Sequence, residues 1–201
     1  MRIGFSLPQV GNHAHNYSAL PGYATTLEQA GAASLWVSDR ILAPLHPTVN
    51  YPSTGDIPKA FNSVLDPLAL IAAIGSVTTR VEIGTNVLIA PWYPPILLAR
   101  TLTTLDIITN GRLIPGLGLG WSPEEYVAAG VPMNQRGRRL DECLDILDAY
   151  WTQNPVEYTG KYWTIPATHV DLKPVRTPPV HLAAFTPNGI ARTGQRAAGW
   201  M

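Results

Sequence analysis

Apolar residues recur along this chain in two rhythms: short unbroken runs, and longer stretches with apolar positions three or four apart. Ile3 to Leu7 is an apolar run closed by Pro8, the form of a strand buried on both faces. Leu20, Tyr23, Ala24, Leu27 and Ala30 keep helical spacing, and Gly31 suits the helix end. Ser34 to Ser38 predicts a second strand ending at Asp39, and about Ile41 to Ser63, rich in Pro, Gly, Asn and Ser, predicts a long loop. Asp66-Pro67 opens the next helix as N-cap and first helical residue, continued by the apolar run Leu68 to Val77. Val81 to Asn86 is a third strand. Pro94-Pro95 opens a helix with Leu97, Leu98, Thr101, Leu102 and Leu105 inward, ended by Asn110-Gly111. Leu113 to Leu117 is a fourth strand, in which Pro115 cannot donate to a ladder and predicts a bulge or irregular register. Arg138 to Trp151 is amphipathic, with Leu140, Cys143, Leu144, Leu147 and Tyr150 on one face and Asp141, Glu142, Asp145 and Asp148 on the other. A small hairpin insertion at about 154–172 turns at Thr159-Gly160. Val180 to Ala184 is a fifth strand, a helix follows Pro187, and Gly199-Trp200-Met201 begins a sixth strand.

Strands alternating with helices of roughly 10 to 15 residues predict βα units around a parallel sheet. A doubly wound sheet and a barrel both fit that rhythm. Pro8-Gln9-Val10-Gly11-Asn12 follows the first strand where a dinucleotide fold would carry its glycine-rich fingerprint, which disfavours that fold.

Charge narrows the partners. Lys plus Arg equals Asp plus Glu at 14 each, so nothing calls for nucleic acid or an anionic membrane surface. With 46% hydrophobic and 14% charged residues, the 201-residue chain can bury a core. Cys143 is the single cysteine, which excludes an intramolecular disulfide and a cysteine metal cluster. On its apolar stripe it reads as a buried structural thiol, fitting a cytoplasmic protein. Neither a signal peptide nor a membrane span is evident, so the sequon Asn16-Tyr17-Ser18 reads as a chance match.

Six segments carry a family resemblance, in order along the chain: Ser34-Leu35-Trp36-Val37-Ser38-Asp39; Arg80-Val81-Glu82-Ile83-Gly84-Thr85-Asn86-Val87; Asn110-Gly111-Arg112-Leu113 running through Gly116-Leu117-Gly118-Leu119-Gly120-Trp121; Gly130-Val131-Pro132 with Arg136-Gly137-Arg138-Arg139-Leu140-Asp141-Glu142; Lys173-Pro174-Val175; and Pro178-Pro179-Val180-His181-Leu182-Ala183-Ala184. Together they resemble the bacterial-luciferase-like monooxygenases, most closely the F420-dependent actinobacterial branch. The resemblance implies a luciferase-like (β/α)₈ TIM barrel, with residues 1–201 a single domain supplying about five and a half βα units. Such a piece would leave two open sheet edges, to be met by a partner chain or further residues. It also implies a small-molecule substrate, coenzyme F420 with FMN as the alternative, and a homodimer formed through helices beside the second to fourth strands.

Active sites of such barrels lie at the C-terminal ends of the strands. The resemblance assigns Asp39 and Arg40 to catalysis. It assigns Asn86, Val87, Gly116, Gly118, Gly120, Trp121, Thr186 and Asn188 to the cofactor, and no residue to a metal. Asn86-Val87 matches a position where a non-proline cis peptide often supports the ring. Arg40 replaces a histidine of F420 relatives; it cannot shuttle protons near neutral pH but could hold a phosphate or a ring oxygen. The plain alternative for Arg40 is an ion pair with neighbouring Asp39. Trp121 stands where some F420 dehydrogenases keep an acidic glutamate, against that sugar-phosphate chemistry. Thr186-Pro187-Asn188-Gly189 opens a helix whose free N–H groups suit an anion, although Phe185 replaces a glycine there. Trp92-Tyr93, Trp121 and the 41–63 loop would line the substrate pocket.

Two rival functions remain at the level of sequence. A non-catalytic or degenerate flavin binder would fit the altered Arg40 and Trp121, and would retain cofactor without turnover. A metal-dependent amidohydrolase would use His13-Ala14-His15 and His181, but no carboxylate and lysine set completes that site.

Overall fold

The computed structural model describes residues 1–53 and 55–201. Strand β1 (Gly4–Ser6), helix α1 (Leu20–Gln29) and strand β2 (Ser34–Val37) open the fold. Helix α2 (Pro67–Gly75) and strands β3 (Glu82–Thr85) and β4 (Leu88–Ile89) follow. Then come helix α3 (Pro95–Ile108), strands β5 (Leu113–Ile114) and β6 (Gly116–Gly118), and helices α4 (Pro123–Ala128) and α5 (Arg136–Thr152). The hairpin strands β7 (Val156–Thr159) and β8 (Thr164–Thr168) precede strand β9 (His181–Leu182), helix α6 (Pro187–Arg196) and strand β10 (Gly199–Trp200).

Outside the hairpin every named strand pairing is parallel, in the orders β1-β2-β3-β5 and β4-β6-β9-β10. The two ladders are halves of one curved wall. Strand β3 continues into β4 across the Asn86–Val87 peptide, which is cis, and β5 continues into β6 across Pro115. This is six successive barrel strands with the alternating helices packed outside. The fourth strand is therefore broken at Pro115, as its missing N–H required. Thr85 repairs the break: its hydroxyl donates to the Gly116 carbonyl at 2.7 Å and accepts from the Gly116 N–H at 2.9 Å. A methyl at Gly116 would collide with the Thr85 carbonyl oxygen, so glycine is what allows this close approach.

The core lies between strands and helices, where Leu35, Ile71, Ile74, Ile83, Leu98, Leu102, Leu113 and Leu117 are fully enclosed. Inside the barrel Trp36 fills the space left by two glycines, since a methyl at Gly4 or Gly84 would meet its indole. Asp66 caps α2 by accepting the Ala69 N–H at 2.8 Å. Asn110 and Gly111 both adopt positive φ and end α3. Arg112 ties the opposite end of the barrel, donating to the carbonyls of Thr109, Val81, Gly75 and Thr78 and to the Thr78 hydroxyl. Cys143 is 1% exposed, and burial pushes its thiol up to about 12.

Four expectations about elements change. Leu97 is 48% exposed: Leu98, Leu102 and Leu105 define the inward stripe, and the position before Leu98 is rotated about 100° from it. Helix α2 ends at Gly75, which leaves Val77 exposed. His13 and His15 lie in a 3₁₀ helix, Gly11–Ala19, inside what reads as loop. The polar face of α5 is covered by the hairpin: the Glu142 carboxylate accepts the N–H groups of Lys161, Tyr162 and Trp163, and Arg139 lies over the Tyr162 ring. Ile146, Val156 and Ile165 are buried there, outside the main core cluster.

Candidate active site

The C-terminal ends of the strands surround a cleft of about 570 Å³. Each end is fixed by local chemistry. The Gln9 carboxamide joins the ends of β1 and β2: it donates to the carbonyls of Ser38 (2.7 Å) and Leu65 (3.1 Å) and accepts the Ser38 N–H at 2.6 Å. Asp39 follows β2 at 8% exposure and accepts the Ile89 N–H at 3.0 Å and the Tyr93 hydroxyl at 2.9 Å. Burial pushes its carboxyl above the ordinary aspartate value, against those two donors. The same burial, and then the charge of Asp39, push the Tyr93 hydroxyl up.

Asn86 and Val87 line the cleft at the joint between β3 and β4. Beside them Gly118, Leu119, Gly120 and Trp121 continue from β6. A methyl at Gly118 would run into the Val87 side chain, and Gly120 adopts a φ of 62°. The glycines thus let backbone, rather than side chains, form this wall. The far end is lined by Arg136, Ala183, Ala184, Thr186, Gly189 and Arg192. Thr186 caps α6 by accepting the Gly189 N–H at 3.2 Å, and Arg192 pairs with Asp141 at 2.5 Å.

Of the residues named from sequence, Asp39, Arg40, Asn86, Val87, Gly118, Gly120, Trp121 and Thr186 share this cleft. Gly116 and Asn188 do not: Gly116 is enclosed against Thr85, and Asn188 is exposed on α6. Trp92 and Tyr93 also lie off the cleft lining. The 3₁₀ turn Ala90–Trp92 directs Trp92 edge-on to Tyr126 on α4, while Tyr93 backs Asp39. Phe185 stands at the rim, 85% exposed. His15 Nε2 lies 3.0 Å from the Ser63 hydroxyl, and His181 lies beside Trp36 within the barrel. No cluster of three metal-ligating side chains occurs among the described residues.

Arg40 does not pair with its neighbour Asp39. Its Nη2 lies 3.2 Å from Glu125, an α4 residue that the sequence reading passed over. The two side chains are 8% and 3% exposed. Glu125 also accepts the N–H groups of Ile41 (3.0 Å) and Leu42 (3.4 Å), and so fixes the start of the long loop. Burial pushes the Glu125 carboxyl up, opposed chiefly by the Arg40 charge. Phe61 and Trp121 lie against the guanidinium at 4.7 and 5.0 Å. Farther along the loop, Glu124 accepts both the N–H and the hydroxyl of Thr48 at 2.7 Å. The available signal was Ser122-Pro123-Glu124-Glu125: an N-cap, a first-turn proline and acidic residues at a helix start.

Comparison with known proteins places this geometry in a family. The sequence profile described as luciferase-like monooxygenase matches residues 1–201. An uncharacterised protein of Mycobacterium tuberculosis is 34% identical over 183 residues, covering 89% of this chain and 62% of the relative. An F420-dependent glucose-6-phosphate dehydrogenase of Amycolatopsis mediterranei is 30% identical over 183 residues, covering 89% of this chain and 51% of its own length. Among solved structures, an F420-dependent secondary alcohol dehydrogenase with an F420–acetone adduct superposes with a TM-score of 0.79 at 22% identity, over 100% of this chain and 57% of the other. A type II Baeyer-Villiger monooxygenase component from Pseudomonas putida, in complex with FMN, gives 0.75 at 20% identity over 98% and 55%. These structural likenesses establish the fold, and this chain spans between half and two thirds of the length of these relatives. No helix among the described residues is long and apolar enough to cross a membrane. With its whole length matched by the family profile, the chain belongs to the luciferase-like monooxygenase family.

Proposed function

We propose that this chain binds coenzyme F420, with FMN as the alternative, and takes part in two-electron hydride transfer to or from a small organic substrate. The observation that carries this reading is the cleft itself. One wall is backbone, from the cis Asn86–Val87 peptide to the Gly118–Gly120 stretch, with a volume inside the range of roughly 300–1,000 Å³ typical of ligand sites. A side chain at Gly118 would intrude on Val87, so the sequence keeps this wall open for a flat ring. The cofactor would supply the hydride chemistry when bound.

The chain's own residues have separable tasks in this reading. Asp39, buried and with its carboxyl pushed above the ordinary aspartate value, is the acid–base group beside the cleft, positioned by Ile89 and Tyr93. Arg40 keeps a fixed positive charge there and does not shuttle protons. Tyr51, in edge contact with both Phe61 and Trp121, excludes water with them from the substrate side. Thr186 and the start of α6 would face the cofactor's anionic chain. Trp121, lacking an acid, argues against a sugar phosphate as substrate. We further infer that residues 1–201 act as one barrel unit in a cytoplasmic homodimer, which sedimentation and fractionation would test.

Titration of the purified protein with F420 and, separately, FMN tests the proposal by fluorescence quenching. Saturable F420 binding with FMN inert supports it, tight FMN binding moves the assignment to the flavin, and binding of neither overturns it.

A further inference from the structure

A second, more polar hollow of about 350 Å³ adjoins the cleft. Arg40 and Phe61 line both spaces and form the partition between them. The hollow's polar wall is His15, Asn62 and Ser63; its apolar wall includes Ala14, Ile41 and Leu65. No acidic residue lines it. Ser63 is anchored by its carbonyl, which accepts the Gly11 N–H at 2.8 Å, and its hydroxyl remains for the His15 ring and a ligand.

Arg40 is incompletely partnered. A guanidinium has five N–H donors. Among the described residues Nη2 is engaged by the Leu42 carbonyl and by Glu125, both at 3.2 Å. Nε is buried and has no partner among the described residues. Phe61 and Trp121 cover the guanidinium's faces, so a ligand can meet only its edges. A buried donor without an acceptor is costly. The missing group is an acceptor; Glu125 already meets Nη2 from outside the hollow, and the hollow's own lining carries no acid, which favours an anionic one.

The main cleft, at about 570 Å³, is of the size of a single ligand site. Any longer substrate must place its tail elsewhere. Resting on the reading that F420 or FMN fills the cleft, we infer that the hollow is a substrate-tail subsite for a carboxylate on a short apolar chain. Arg40 meets the carboxylate at the partition, and the Ser63 hydroxyl, whose oxygen accepts from the His15 ring, donates to it from the polar wall.

Isothermal titration with 4-phenylbutanoate and 4-phenylbutan-1-ol, on protein saturated with whichever cofactor binds, tests this. The wild type is expected to prefer the acid at least tenfold. Ser63→Ala deletes one hydroxyl and is expected to reduce the preference at least threefold. Asn62→Asp, at an exposed position, adds a negative charge and is expected to abolish it, with the melting temperature and cofactor affinity unchanged. Equal binding of acid and alcohol by the wild type, or a preference untouched by both substitutions, overturns the subsite. Cofactor binding without acid preference sinks the subsite alone. Acid preference in a protein that binds neither cofactor sinks the cofactor reading alone.

Discussion

Removing Glu125 tests how the long loop is held over the cleft. Glu125→Ala strips the buried Arg40 charge of its counter-ion and leaves the Ile41 and Leu42 N–H groups without their acceptor. Truncating one partner of a buried pair costs about 3–5 kcal/mol, because the surviving charge stays buried. Two features place this case at the low end. The contacts are 3.0 to 3.4 Å long, and the Phe61 and Trp121 rings still face the cation. The expected loss is about 3 kcal/mol, more than a hundredfold in the folding equilibrium. The compensated pair Arg40→Met with Glu125→Leu should recover most of it, ending within about 1 kcal/mol of the wild type, since well-packed apolar groups often replace a buried pair at little cost. Urea unfolding, read as a midpoint change at constant slope, measures both. A loss below about 1 kcal/mol for Glu125→Ala, or a double variant no better than the single one, would refute the reasoning.

Asp39→Asn should change the pH dependence of stability. The Asp39 carboxyl is raised in the folded protein, so the fold binds its proton more tightly than the unfolded chain does. That contribution is complete below the ordinary aspartate value of about 4 and is lost as pH rises through the raised folded value. The variant should gain on the wild type as pH increases from about 4, and urea unfolding at several pH values showing a constant gap would count against it. Asp66→Ala removes the α2 cap and should cost about 1 kcal/mol in the same assay. Cys143, buried with its thiol pushed up to about 12, should resist iodoacetamide at neutral pH until urea unfolds the protein.

Much of the fold was legible because the strands and helices of a parallel α/β protein carry different apolar periods. Asp66-Pro67 and Asn110-Gly111 marked helix ends by local chemistry alone, and Pro115 announced its own break. Of the residues named from sequence for the cofactor, Asn86, Val87, Gly118 and Gly120 line one cleft, where backbone forms the wall. Tertiary contacts decide what sequence cannot show. The neighbour ion pair that was the plain alternative for Arg40 does not form: its acidic partner lies 85 positions along the chain on a helix of six residues. Gly116 reads as part of a cofactor loop, but it lies off the cleft lining, its backbone bonded to the Thr85 hydroxyl and packed against the Thr85 carbonyl oxygen. The aromatic character of Trp92 and Tyr93 suggests pocket walls; the turn at Ala90–Trp92 directs them elsewhere.

A crystal structure of this protein with whichever of F420 or FMN binds it tests the central claim most directly. The account predicts the ring in van der Waals contact, about 3.5–4 Å, with the Asn86–Val87 joint and the Gly118 backbone, its edge toward Asp39. A cofactor seated outside this cleft, or a ring held away from that backbone wall, would contradict it.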